Sequence, residues 1–261
     1  MPRSVLKRIV ITGASSGLGA ALALHYAGPG IDLLLAGRNG ERLERIADQA
    51  RAKGAQVDYI CLDIRDQDAL SAWLMDRDRA KPIDLVIANA GISGGPRDGL
   101  EQATQIDEIY AVNVTGVMNT ILPLLPRMVA RHHGQIAIMS SLAGFAPWPG
   151  APAYAASKAA VRIHGLALRT ALRQTGVSVS VICPGFIDTP MTAVNPYPMP
   201  WMMGANHAAK IIAKGLFNRR ALITFPKCAA FTARFIGMLP IFLQERVLSL
   251  APSKPARDVK F

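Results

Sequence analysis

Cysteine is scarce in this 261-residue chain: Cys61, Cys183 and Cys228 lie far apart, and none belongs to a Cys-x-x-Cys pair. That excludes a disulfide framework and a zinc site, so no metal is expected, and it suits a reducing compartment. Acidic residues are also few, 18 against 29 Lys and Arg, which leaves a net charge of +11. Long apolar runs are missing from the C-terminal region: the uncharged stretch 235–243 is short and contains Pro240. It falls well below the ~20 residues a spanning helix needs. The first residues lack the apolar core of a signal peptide, and the expected location is cytoplasmic.

With 51% apolar and 18% charged residues, the chain fits one large α/β domain. A chain of this size buries roughly 70–75% of its unfolded surface and needs no cross-link. The charge is uneven. Beyond residue 205 stand Lys210, Lys214, Arg219, Arg220, Lys227, Arg234, Arg246, Lys254, Arg257 and Lys260, against only Glu245 and Asp258. Such a tail suits an anionic membrane surface or an acidic partner; nucleic acid has charge alone in its favour and is not expected.

Short, nearly continuous apolar runs at 5–12, 31–37, 57–62, 83–88, 135–140, 177–183 and 221–225 read as strands covered on both faces. Helical patterns lie between them at 17–28, 40–53, 66–79, 103–130, 152–174 and 206–217. This alternation predicts an α/β fold: a doubly wound parallel sheet of Rossmann type, about seven strands with helices on both faces. The catalytic domain is expected over 1–227, with a substrate loop at about 186–205 and a basic, apolar extension at 228–261.

Thr12-Gly13-Ala14-Ser15-Ser16-Gly17-Leu18-Gly19 follows the first strand and opens the first helix. Gly13 suits a tight strand exit, Gly17 lets backbone approach a pyrophosphate, and Gly19 permits close packing at a helix N-terminus that attracts phosphate.

This Gly-x3-Gly-x-Gly turn resembles that of the short-chain dehydrogenase/reductase family, and the resemblance extends over about residues 5–225. Asn89-Ala90-Gly91 follows the fourth strand, Asp63 the third, and Asn113 lies in the pattern at 103–130. Ser141 precedes Tyr154 by thirteen residues, Tyr154-Ala-Ala-Ser-Lys158 matches Tyr-x3-Lys, and Pro184-Gly185 is followed by Thr189. The resemblance implies a nicotinamide cofactor contacted by Gly13, Ser15, Ser16, Gly17, Leu18, Gly19, Arg38, Asn39, Asp63, Ile64, Asn89, Ala90, Gly91, Tyr154, Lys158, Pro184, Gly185, Ile187 and Thr189. It implies Asn113, Ser141, Tyr154 and Lys158 as catalytic residues, with Asn113 positioning a water and Lys158 holding the ribose hydroxyls.

The second strand ends Leu35-Ala36-Gly37-Arg38-Asn39, without the acid that would bond a ribose 2′-hydroxyl. Arg38 offers a planar charged fork for a 2′-phosphate, with Ser15 and Asn39 as further donors, so NADP(H) is expected over NAD(H). Tyr154 and Lys158, four apart on a helix, share one face. A neighbouring ammonium favours phenolate and lowers the tyrosine pKa from its ordinary ~10, which suits a general acid for ketone reduction and a base for alcohol oxidation. Ser141 is placed to stabilise charge on the substrate oxygen, with Ser140 its competitor for that role.

The stretch 186–203 is rich in Pro, Met, Tyr and Trp, and Asp188 is its one Asp, Glu, Lys, Arg or His. It suggests an apolar, pliable lining and a hydrophobic or lipid-like ketone. The segment 228–250 mixes Phe231, Phe235, Ile236, Leu239, Ile241, Phe242, Leu243, Val247, Leu248 and Leu250 with basic residues. It suits an interfacial helix giving peripheral membrane contact, a self-association surface, or packing on its own domain. By analogy with the family, a homodimer through 103–130 and 152–174 is expected. Two other functions stay open: a reductase of carrier-bound 3-oxoacyl groups, and an NADP(H)-binding sensor without turnover.

Overall fold

A computed structural model of the chain describes residues 6–96 and 99–256. Strand β1 (Arg8–Thr12) leads into α1 (Gly17–Tyr26), then β2 (Asp32–Gly37), α2 (Gly40–Ala52), β3 (Gln56–Cys61), α3 (Gln67–Ala80) and β4 (Leu85–Ala88). The second half runs α4 (Ala103–Tyr110), α5 (Gly116–Ile121), α6 (Leu125–Ala130), β5 (Gly134–Met139), α7 (Pro152–Ala171) and β6 (Val177–Pro184). There follow β7 (Ile187–Asp188), α8 (Pro190–Ala193), β8 (Met203–Gly204), α9 (Ala205–Phe217), β9 (Leu222–Phe225), α10 (Lys227–Met238) and α11 (Ile241–Leu248).

Seven of these strands form one sheet in the order β3-β2-β1-β4-β5-β6-β9, every neighbouring pair parallel. Ile9 of β1 pairs with Leu33 on one side and Leu85 on the other. The order reverses between β1 and β4, and there a doubly wound sheet opens a crevice at the carboxyl ends of its strands. One face of the sheet packs Val10, Leu34, Val86 and Ile138 against the α3–α7 side; the other packs Ile9, Leu33, Leu85 and Ile182 against α1, α2 and α9. Burial on both faces explains the unbroken apolar runs.

The helical pattern at 103–130 is not one regular helix. A π turn at Ala111–Thr115 separates α4 from α5, and Pro123 and Pro126, which have no N–H to donate, fall between α5 and the first turn of α6. By length and composition the run Ala103–Ala130 could cross a bilayer, yet half of its most apolar window is buried in the domain.

The C-terminal region is built onto the domain. Ala229, Ala230 and Ala233 of α10 pack on Leu142, Val181, Cys183 and Phe145. The opposite side of α10 and α11 leaves Phe231, Phe235, Met238, Ile241 and Phe242 exposed. After α11 the chain returns as a strap: Lys254 N–H donates to Gly150 O at 2.9 Å, and Gly95 N–H donates to Pro255 O at 3.0 Å. A Cβ on Gly95 would stand 2.2 Å from Lys254 O, and one on Gly150 2.2 Å from Pro252 O. Both glycines therefore admit the strap at backbone contact. Of the three roles open for 228–250, packing on its own domain is seen for its small-residue side.

Candidate active site

The crevice beside β1 and β4 is a cleft of ≈ 640 Å³, within the usual size range of ligand pockets. At one end the glycine turn closes on itself. Gly13 and Gly17 have φ of +67° and +54°, in the left-handed region that glycine adopts without strain. A Cβ on Gly19 would stand 2.2 Å from Gly13 O, so only glycine lets the first turn of α1 lie this close. Asn89 fixes the turn to β4: its Nδ2 donates to Thr12 O at 3.0 Å, while the Asn89 and Ala90 N–H groups donate to Thr12 Oγ1 at 3.2 and 3.3 Å. The N-cap Ser16 makes no side-chain capping bond, and the first turn of α1 carries no acidic residue. Its leading N–H groups form the donor set that receives a pyrophosphate at a helix N-terminus. These residues fit the phosphates of a dinucleotide.

All the sequence-derived cofactor residues line this cleft: Ser15, Ser16, Leu18, Arg38, Asn39, Asp63, Ile64, Gly91, Pro184, Gly185, Ile187 and Thr189 stand there with the glycine turn and Asn89-Ala90. Asn39 Oδ1 accepts from Arg42 N–H at 2.9 Å and so caps α2. Asp63 is held by Arg65 through Nη2 at 2.8 Å and lies 3.7 Å from Arg38 Nη1. Burial works to raise the Asp63 pKa, but the Arg65 hydrogen bonds outweigh it and hold the carboxyl below its ordinary value. Arg42 also lines the cleft beside Arg38. The sequence reading missed it because it lies inside α2 rather than at the strand tip.

At the other end stand Ser141, Tyr154 and Lys158, all buried. Ser141 follows β5 and caps a 3₁₀ turn, its Oγ accepting from Ala143 N–H at 3.1 Å. Ser141 Oγ donates to Pro184 O at 3.5 Å, and the serine lies close enough to Tyr154 to work on its pKa. Ser140 points elsewhere, donating to Lys158 O at 2.7 Å, which leaves Ser141 as the serine facing Tyr154. Lys158 Nζ donates to Met139 O at 3.0 Å and lies 5.8 Å from the Tyr154 ring centroid. Gly91 leaves room for it: a Cβ there would stand 3.2 Å from both Lys158 Nζ and Asn113 Oδ1.

Two features of this geometry bear on the expected roles of Tyr154 and Asn113. Burial raises the Tyr154 pKa above its ordinary value, with Ser141 working against it, so the expected lowering by Lys158 is not what the protein groups alone produce. The same burial pushes Lys158 down to about 8. Asn113, in turn, does not line the cleft. It is fully buried in the π turn, where its Oδ1 accepts from Ile92 N–H at 2.8 Å and its Nδ2 donates to Ile92 O at 2.9 Å and Ser157 Oγ at 3.0 Å. The chain after Asn89-Ala90-Gly91 is thereby tied to α7.

The loop between β7 and β8 covers the cleft, its ends joined by the pairing of Ile187 with Met203. Met191, Tyr197 and Trp201 reach the cleft from this loop, Trp148 from the turn before α7, and Ile236 from α10. From the strap comes Lys254, a cation the sequence reading did not place here. Its position depends on a contact more than 150 residues distant in sequence, Lys254 Nζ donating to Ser93 Oγ at 2.7 Å with |i−j| = 161. Among the described residues no group of three or more His, Cys, Asp or Glu is placed to hold a metal.

The family model for short chain dehydrogenase matches residues 7–197. An uncharacterized oxidoreductase of Myxococcus xanthus is 39% identical over 232 residues, 88% of this chain and 92% of that one. A short-chain dehydrogenase from Sphingobium yanoikuyae, solved in complex with NADPH, shares a TM-score of 0.79 at 26% identity, covering 97% of this chain and 99% of that one. A short chain dehydrogenase/reductase from Burkholderia phymatum, in complex with NAD, shares 0.83 at 25% identity and covers 100% of each chain. Because the match runs from the first strand past α7, the chain belongs to the short-chain dehydrogenase/reductase family, oxidoreductases acting on CH–OH groups with a nicotinamide dinucleotide.

Proposed function

We propose that this protein is an NADP(H)-dependent oxidoreductase that interconverts a ketone and a secondary alcohol on an apolar substrate, with Tyr154 as general acid and base. The observation that carries this reading is that Tyr154 and Ser141 line one cleft together with a buried Lys158. Two hydroxyls lining one cleft can both donate to a single carbonyl oxygen. Ser141 then stabilises the charge that develops there, and Tyr154 delivers the proton that makes the alcohol; in the reverse direction Tyr154 removes it. When bound, the nicotinamide supplies or accepts the hydride. Together with the positive nicotinamide ring of the bound oxidised cofactor, the Lys158 ammonium would favour the ionised form of Tyr154 that alcohol oxidation requires, against the burial that raises its pKa. Asn113 keeps Ile92 and Ser157 in register and so holds the site from behind.

Arg38 and Arg42 together support a preference for the 2′-phosphate of NADP(H), since guanidinium forks suit phosphate oxygens. Asp63 draws on Arg38, which makes Arg42 an equal contributor in this reading. Met191, Tyr197, Trp201, Trp148 and Ile236 support a bulky apolar substrate. Exposed Leu122 and Ile163, on the end of α5 and on α7, support a homodimer through these helices. The outward Phe and Ile side chains of α10 and α11, with Arg234 and Arg246 nearby in sequence, support peripheral contact with an anionic membrane surface.

The test is NADPH oxidation over a panel of ketones. Turnover of bulky ring or long-chain ketones above short polar ones is expected; a saturating preference for the short polar ones would overturn the apolar reading.

A further inference from the structure

Lys254 has an unusual setting. The strap delivers its ammonium to the mouth of the catalytic cleft, where Nζ lies 4.6 Å from the Tyr154 ring centroid, on a ring that Lys158 also approaches. Its one hydrogen-bond partner among the described residues is the neutral Ser93 hydroxyl, at 2.7 Å. No carboxylate among the described residues pairs with it. An ammonium has three N–H donors, so two remain for a ligand. A largely buried cation without a counter-ion is costly. Its position is nevertheless fixed from both sides, by the strap's backbone bonds to Gly95 and Gly150 and by the clearance those two glycines provide.

We propose that Lys254 is a specificity-determining residue, and that the ketone acted on here carries a carboxylate close to its reacting carbonyl, with an apolar remainder. The proposal rests on the Tyr154 reading above, which puts the reacting oxygen at Ser141 and Tyr154. From there Lys254 is within reach of a group one or two bonds along the substrate. The ammonium and the Ser93 hydroxyl together suit a planar anion with two oxygens. A phosphate dianion would call for more donors, and the other ammonium at this end, Lys158, is the one the family resemblance assigns to the nicotinamide ribose. The cofactor's phosphate partners, the glycine turn with Arg38 and Arg42, stand instead at the ends of β1 and β2. Apolar side chains from the loop and from α10 remain for the rest of the molecule.

The experiment uses the full chain with saturating NADPH and two matched substrates, an aryl-substituted 2-oxo acid and its methyl ester. The wild-type protein is expected to favour the acid in kcat/KM by roughly 10- to 100-fold, the range of a hydrogen-bonded charge. Lys254→Met is expected to remove that preference mainly through KM of the acid, with a smaller change on the ester, and Lys254→Arg to keep most of it. Equal loss on acid and ester in Lys254→Met would mean that the strap is only structural, and no acid preference in the wild type would equally overturn the proposal.

A second readout is independent of turnover. Quenching of Trp148 and Trp201 fluorescence by the corresponding non-reducible acid and its amide is followed with NADP⁺ present. Acid binding above amide binding, lost in Lys254→Met, supports Lys254 even if no ketone is turned over, an outcome that would count against the Tyr154 reading alone. Equal binding of acid and amide overturns the Lys254 proposal while leaving Tyr154 untouched.

Discussion

Replacing Asn113 by alanine tests whether the π turn holds the site together. The side chain is fully buried and makes three hydrogen bonds, to Ile92 N–H, Ile92 O and Ser157 Oγ. Its removal strands both backbone groups of Ile92 away from water, at roughly 1–3 kcal/mol for each unsatisfied group. Ser157 suffers less, because its hydroxyl still donates to Tyr154 O at 2.7 Å. Some water entry into the vacated space offsets part of the cost, and about 3 kcal/mol is expected. For a chain of this length that corresponds to a fall in Tm of roughly 6–12 °C. Ser157→Ala removes the acceptor of Asn113 Nδ2 and the donor to Tyr154 O; because Asn113 Nδ2 still donates to Ile92 O, it is expected to cost only about 1 kcal/mol. Urea and thermal unfolding followed by circular dichroism, at one protein concentration, measure both variants. If Asn113→Ala were no less stable than Ser157→Ala, the π turn would not be the brace described, and Asn113 would act mainly on solvent or ligand.

Arg38→Ala and Arg42→Ala should each weaken NADPH binding by roughly 10- to 100-fold, the worth of charge-assisted bonds to phosphate, with NADH little affected; equal losses on both cofactors in a fluorescence titration would remove these arginines as discriminators. Burial pushes the Lys254 pKa down to about 8. Its ammonium is therefore present below that pH and lost above it, so the acid-over-ester preference should hold at neutral pH and fade as pH rises through this value. A ratio that stays flat into the alkaline range would contradict the assignment. For the outward surface of α10 and α11, co-sedimentation with phosphatidylserine vesicles is expected, and Phe235→Ser with Ile241→Ser should abolish it; wild-type protein that stays in the supernatant would rule the membrane contact out.

Features dictated by local chemistry were legible in the sequence. A strand buried on both faces must be apolar along its length, and β1, β2, β4 and β5 announced themselves in this way. The glycine turn was readable because each of its glycines answers a local constraint, a positive φ at Gly13 and Gly17 and a backbone contact at Gly19. Ser141, Tyr154 and Lys158 were readable through the spacing they share with the family the chain resembles.

What escaped were features set by distant contacts. The pattern at 103–130 has helical periodicity throughout, and nothing in it marks the π turn that carries Asn113. Arg42 looks like one more charge on the exposed side of α2 until the fold turns that side toward the cleft. The apolar residues in 228–250 left membrane contact, self-association and packing on the domain open, and Ala229, Ala230 and Ala233, too small to stand out, make the contact that the domain does form. Lys254 could not be placed from sequence at all, because its position depends on Ser93, Gly95 and Gly150.

The most direct test of the central claim is a single-turnover comparison of the wild-type protein with Tyr154→Phe, saturated with NADPH and mixed with the best ketone of the panel. Loss of the hydride-transfer step by several orders of magnitude, with NADPH affinity unchanged, is the expected result. Transfer at a comparable rate in Tyr154→Phe would show that the proton comes from elsewhere and would contradict the assignment of Tyr154.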